Sequence, residues 1–270
     1  MGRTSINGVS IYYEVYGTGE PLLLIEGLGY ASWMWFKQIP SFSRHFQTII
    51  FDNRGAGRSD KPDLPYTAAM MAGDAAGLLD NLGIARAHVL GVSMGGFIAQ
   101  ELALSHPEMV ASLILCCTSF GGPDSVPMTA QALDSMLKVD GLSAGQAIRQ
   151  GLAVAFSPGY MEEHPDEVEQ ITAWRLARPT PPRYAWERQF SAAREFCSKN
   201  RLSNIRIPTL VLAGDRDVVL PPENARLLAG RITGAKLRMF SGGGHLFFIE
   251  QAEEFNRSVI NFLAGLKDKS

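Results

Sequence analysis

The chain has 270 residues, 46% of them hydrophobic and 19% charged, with a net charge of −2. That length suits one large domain or a domain with an insertion, and it can bury a substantial core. The near-neutral balance leaves no electrostatic footprint for nucleic acid or an anionic membrane, so neither is expected as a partner.

In chain order the pattern opens with a hairpin. Ser5-Ile6 and the stretch from Val9 to Tyr16 flank Asn7-Gly8, a pair that tolerates the positive φ of a two-residue turn. Continuous apolar strands are expected at 21–25, 48–51, 88–90, 112–117, 209–213 and 237–240, and such runs suit strands buried on both faces. Helical patterns lie between them at 67–82, 94–105, 222–231 and 251–266. This alternation predicts an α/β fold, with a mostly parallel central sheet flanked by helices behind an amino-terminal antiparallel hairpin. About ninety residues separate the strand ending at Cys117 from the one starting at Thr209, far more than one crossover needs. A helical cap is therefore expected at 121–200, inserted into a core formed by 1–120 and 201–270. Its proline-rich joints include Arg178-Pro179-Thr180-Pro181-Pro182. Met128, Met136, Leu152, Phe156, Trp174, Tyr184, Trp186 and Phe190 are expected both to bury the cap and to line a cleft at the carboxyl ends of the strands.

The amino terminus lacks the apolar stretch of a signal peptide, and Ile6 stands where a myristoylation signal wants Ser or Thr. No apolar run approaches the roughly 20 residues of a spanning helix, so no stable membrane anchor is expected. Cys116, Cys117 and Cys197 cannot all pair internally and are read as small core hydrophobes in a reducing compartment, which makes a cytoplasmic location the expectation.

The most informative stretch is Gly91-Val92-Ser93-Met94-Gly95. The pattern G-x-S-x-G is weak alone. Here it lies where a strand ends and a helix starts, a turn that exposes a serine hydroxyl and asks for glycines on either side. Serine is a poor nucleophile near neutral pH. It needs a base within hydrogen-bond reach and a third group that fixes the base's tautomer. His45, His88 and His106 read as surface or capping residues, and His164 as a solvated one. His245 follows three glycines after the last strand, so a flexible turn can present its imidazole at the carboxyl edge of the sheet. Asp215 and Asp217 follow the preceding strand, and spacing alone does not separate them.

Nearly the whole chain resembles the α/β-hydrolase fold superfamily, in its capped, esterase- and lactonase-like form. The resemblance rests on the hairpin, Glu26-Gly27-Leu28-Gly29, the block from Asp52 to Ser59, the elbow, Gly214-Asp215-Arg216-Asp217 and Gly244-His245. It implies a triad of Ser93, Asp217 and His245, with Asp217 preferred because that family's acid falls in a G-x-x-D turn. It also implies an oxyanion hole from the backbone N–H groups of Leu28 and Met94. Where the family often has His-Gly, this chain has Glu26-Gly27. Glu26 is expected to be a supporting structural carboxylate, with proton handling as the alternative. The block 52–59 is expected to be a structural turn in which Arg54 binds backbone carbonyls. Gly27, Trp33, Phe120, Val218 and Leu246 are expected to line the substrate pocket.

The expected chemistry is acyl transfer to water without cofactor or metal, acting on a small-molecule carboxylic ester or lactone. The resemblance keeps open enol-lactone hydrolysis, carbon–carbon bond hydrolysis of ring-cleavage products, perhydrolysis as a side activity, and a small-molecule receptor on the same fold. Arg175, Arg178, Arg183, Arg188 and Arg194 are expected on solvated helix positions, unless one or two face inward and bind a carboxylate.

Overall fold

The computed structural model describes residues 1–178 and 180–267. Pro179 of the expected proline-rich joint, and residues 268–270 at the end of the expected core, lie outside the described residues. One eight-stranded sheet runs in the order β1-β2-β4-β3-β5-β6-β7-β8. Its strands are β1 (Gly2–Ile6), β2 (Val9–Tyr16), β3 (Glu20–Ile25), β4 (Phe46–Phe51), β5 (Ala87–Val92), β6 (Val110–Cys116), β7 (Thr209–Gly214) and β8 (Lys236–Phe240). β1 and β2 form the amino-terminal hairpin through Asn7 and Gly8, at φ 50° and 77°. β2 joins β4 antiparallel, and every later pairing is parallel.

Eleven α-helices are described: α1 (Ile39–Phe42), α2 (Ala68–Asn81), α3 (Met94–Ser105), α4 (Ala130–Leu137), α5 (Ala144–Ala155), α6 (Tyr160–Glu163), α7 (Pro165–Leu176), α8 (Arg183–Glu195), α9 (Glu223–Ala229), α10 (Phe247–Glu250) and α11 (Ala252–Lys267). α4 to α8 all fall between β6 and β7, the interval where the cap is expected. None of the described helices is long and apolar enough to cross a membrane.

The period-two alternation of the strands builds two cores. Leu23, Ile25, Val89, Leu113 and Val211 face the layer that contains α2, α3 and α9. Their neighbours Leu22, Leu24, Leu90, Ile114 and Leu212 face the layer of α1, α10 and α11. Leu22, Leu23 and Leu24 are each fully buried, and each such side chain stabilises the fold by about 2 kcal/mol relative to exposure.

Three expectations need correction. β8 is an edge strand, so Lys236, Leu237 and Arg238 are exposed instead of buried on both faces. Cys197 is exposed, unlike Cys116 and Cys117. His88 is no surface group: it is buried and its Nδ1 lies 2.8 Å from Ser112 Oγ of the adjacent strand β6.

Candidate active site

Ser93 stands between β5 and α3 with φ 55° and ψ −122°, a strained conformation for a residue with a side chain. The surrounding backbone leaves no choice about its glycine neighbours. A Cβ on Gly91 would come within 2.2 Å of Gly95 O, and one on Gly95 within 2.2 Å of Ile25 O. The turn is fastened by Ser93 N–H donating to Cys116 O at 3.0 Å and by Thr118 Oγ1 donating to Ser93 O at 2.8 Å. Strain at Ser93 is thereby over-determined by β3, β5 and β6.

The structure separates the two aspartates. Asp217 Oδ2 lies 2.8 Å from His245 Nδ1, while its Oδ1 accepts the N–H groups of Val219 at 2.8 Å and Leu220 at 2.9 Å. Asp215 is partly exposed; its Oδ1 accepts Gly242 N–H at 2.7 Å and faces Arg216. The glycines before His245 act less as a flexible turn than as a close-packing device. A Cβ on Gly244 would meet Ser157 N at 2.5 Å, and one on Gly243 would meet the Phe247 side chain at 2.7 Å. Glu250 completes the anchorage by accepting N–H from Ser157 at 2.7 Å and from Gly244 at 3.1 Å.

His245 is 8% exposed. Burial disfavours its protonated form, but the charge of Asp217 and the hydrogen bond to it outweigh that and raise its pKa above the ordinary 6.5. Only the neutral imidazole can take a proton from Ser93. Hydrolysis of a neutral ester is therefore expected to rise with pH with an apparent pKa above 6.5. A kcat/KM profile already flat from the ordinary histidine range upward contradicts this.

Ser93, His245, Leu28 and Met94 share a cavity of about 710 Å³. Among the described residues no hydrogen bond joins Ser93 Oγ to His245; in hydrolytic sites that contact often tightens only around bound substrate. Met94 opens α3, so its N–H has no acceptor within the helix. Leu28 N–H is left free among the described residues while both neighbours are engaged. Gly27 N–H donates to Glu26 Oε2 at 3.0 Å and Gly29 N–H to Gln189 Oε1 at 2.9 Å. Two unpaired donors thus flank the serine.

Gly27, Trp33 and Leu246 line the cavity as expected pocket residues, but Phe120 and Val218 do not. Phe120 is fully buried in the core beneath Arg231. Val218 is 36% exposed, and the turn made by Asp217 presents Val219 and Leu220 to the cavity in its place. Of the cap residues, Met128, Met136, Leu152, Trp186 and Phe190 line it. Phe156 is buried, Trp174 faces a separate cavity of about 330 Å³, and Tyr184 donates to Lys61 O at 2.7 Å. Cys117 also lines the cavity, but burial pushes its thiol pKa up, so it stays protonated near neutral pH.

Two roles were not legible in the sequence. Gln189 of α8 bridges the Gly27-Leu28-Gly29 loop to the block 52–59: its Oε1 accepts from Gly29 and its Nε2 donates to Arg54 O at 2.7 Å. Nothing in a glutamine at that position signals this. Arg54, expected to bind backbone carbonyls, makes a buried bidentate pair with Asp74 of α2, both contacts 2.6 Å. Gln189→Leu removes both bridges and is expected to lower kcat about tenfold with a smaller change in KM, by loosening Leu28. Gln189→Glu keeps the acceptor for Gly29 and should recover part of the loss. An unchanged kcat in the leucine variant counts against this bridge.

A mostly parallel sheet whose fifth strand turns through a serine into a helix defines an α/β hydrolase. The chain belongs to that family, whose model for the α/β hydrolase fold matches residues 20–252. It is 30% identical to RutD of Azorhizobium caulinodans, a carbamate hydrolase by inference, over 93% of this chain and 94% of that protein. Among solved structures it is similar to the enol-lactonase of Burkholderia xenovorans LB400, with a TM-score of 0.86 and 28% identity over 97% of this chain and 100% of that one. It is also similar to Est816, an N-acyl homoserine lactone degrading enzyme, with a TM-score of 0.81 and 30% identity over 97% of this chain and 100% of the other.

Proposed function

We propose that the protein is a serine hydrolase that cleaves a small-molecule carboxylic ester or lactone through an acyl-enzyme. The observation that carries the reading is the alignment of His245 by Asp217 at 2.8 Å in the same cavity as the strained Ser93 and the free Leu28 N–H. Ser93 Oγ attacks the carbonyl carbon as His245 takes the hydroxyl proton. The Leu28 and Met94 amides stabilise the oxyanion, and the imidazolium returns the proton to the departing alkoxide. Water then attacks the acyl-enzyme with His245 again as base. Asp217 holds the imidazole with its Nδ1–H toward the carboxylate, which leaves Nε2 free for the serine.

Likeness to two lactone-acting enzymes supports the ester and lactone class. A cytoplasmic location fits the free cysteines. The test is a panel of 4-nitrophenyl esters, lactones, carbamates and vinylogous 1,5-diketones, each run with Ser93→Ala. Turnover of esters or lactones that the variant loses supports the reading. Turnover confined to the diketones, or retained by the variant, overturns it.

A further inference from the structure

The charge on the cavity wall is lopsided. Among the described residues lining it, Arg175, Arg183 and Arg194 are cationic and Glu26 supplies the carboxyl. Arg183 pairs with Glu187 at 2.8 Å and Arg194 is exposed, so water and a partner satisfy them. Arg175 differs. Its guanidinium lies over the Tyr30 ring at 4.9 Å, and its Nη2 is 3.8 Å from the point a Cβ on Gly29 would occupy. It therefore overhangs the Gly27-Leu28-Gly29 loop, and among the described residues no carboxylate forms a salt bridge with it. A partly buried guanidinium without a salt-bridge partner among the described residues is suited to hold an anion.

Glu26 shapes that site. It is 2% exposed; Oε2 accepts Gly27 N–H, and Oε1 is buried with no hydrogen-bond partner. The unpartnered oxygen is the one suited to carry a proton, since the other is committed as an acceptor. We propose that Glu26 acts as a charge switch on Arg175: protonated Glu26 leaves the guanidinium free to hold a carboxylate on the substrate, whereas ionised Glu26 offsets part of its charge and repels that carboxylate. The cavity then selects esters or lactones that carry an anionic group away from the scissile bond, and Arg175 and Glu26 together determine that specificity. The inference rests on the hydrolase reading of Ser93.

The groups that act on Glu26 come from several elements. Burial opposes its ionisation most strongly. The Gly27 N–H and the Arg175 charge of α7 favour the anion, while Asp52, just after β4, opposes it; the balance pushes the carboxyl up to about 8. Tyr30 in its own loop and Cys116 of β6 feel its charge in turn. Near neutral pH the switch therefore stands in its anion-accepting state.

The experiment compares mono-4-nitrophenyl adipate with its terminal carboxamide, which shares the scissile bond but lacks the anion. The ratio of their kcat/KM values is read at about pH 6.5 and about pH 9.5, on either side of the Glu26 ionisation. The titration of His245 cancels in that ratio. The wild-type protein is expected to favour the anionic ester about tenfold at the lower pH, and to lose most of that preference at the higher. Glu26→Gln should keep the preference at both, and Arg175→Met should bring the ratio near one at both.

A wild-type ratio near one at the lower pH overturns the proposal, as does an alkaline fall that persists in Glu26→Gln. Equilibrium binding of the two esters to Ser93→Ala separates this inference from the hydrolase reading. Equal affinities at the lower pH sink the charge switch even if turnover is intact. Tighter binding of the anion without wild-type turnover supports the switch and rejects the hydrolase.

Discussion

Replacing Ser93 by alanine is expected to lower kcat for any ester or lactone the enzyme turns over by about 10⁴- to 10⁶-fold, and His245→Ala by a similar factor. The two losses should not add if Ser93 and His245 work as one unit: an imidazole without the hydroxyl has nothing to deprotonate, and the hydroxyl without the base stays a poor nucleophile. The double variant is therefore expected to match the single ones. Residual turnover above the water rate should remain, since the Leu28 and Met94 amides are backbone groups that neither substitution removes. Folding should be little affected by Ser93→Ala, because the turn is anchored through the Ser93 backbone and Thr118. Steady-state kinetics with thermal melting as the control checks all of this. A Ser93→Ala enzyme within tenfold of the parent would be decisive against the mechanism.

Gly95→Ala is expected to damage the fold severely. The added Cβ would lie 2.2 Å from Ile25 O, 2.7 Å from Ile25 C and 2.7 Å from Glu26 O, all backbone atoms at the end of β3. No rotamer relieves a clash between a Cβ and a main chain. α3 would have to lift from β3, opening the packing of its buried Met94, Ile98 and Leu102. A cost above about 4 kcal/mol is expected, a large share of the stability of an ordinary domain. Gly151→Ala is the matched control. Gly151 lies within α5 with nothing within 4 Å of its added Cβ, so alanine there should leave stability unchanged or raise it by up to about 1 kcal/mol. A Gly95→Ala protein that melts with the wild type would show that β3 and α3 are not in this close approach.

The contrast between these positions explains what could be read from the chain alone. The elbow was legible because its signals are local: glycines two residues either side of a serine, at the junction of an apolar strand and a helical pattern. Alternating strands and helices likewise announced the parallel sheet. Asp215 and Asp217 were not separable by spacing, since residues two apart after a strand start on the same side. What distinguishes them is the turn in which Asp217 Oδ1 binds Val219 and Leu220 N–H. That same turn rotates Val218 outward. Phe120 follows β6 by a few residues, yet the chain bends at Gly121, φ 68°, and drives the ring into the core. The exposure of β8 depends on its place at the sheet edge, which no apolar pattern encodes. Gln189, Arg54 and Asp74 meet across distant parts of the chain, and the ionisation of Glu26 depends on its burial and on the charges of Asp52 and Arg175. Such features become visible only when the elements are assembled.

Activation of Ser93 by an aligned His245 is the step on which the proposed hydrolysis depends. It is tested most directly by intact-mass analysis and peptide mapping after exposure to a fluorophosphonate. One adduct is expected, located at Ser93, absent in Ser93→Ala and greatly slowed in His245→Ala. No adduct on the folded wild-type protein, or the same adduct formed on Ser93→Ala, would contradict it.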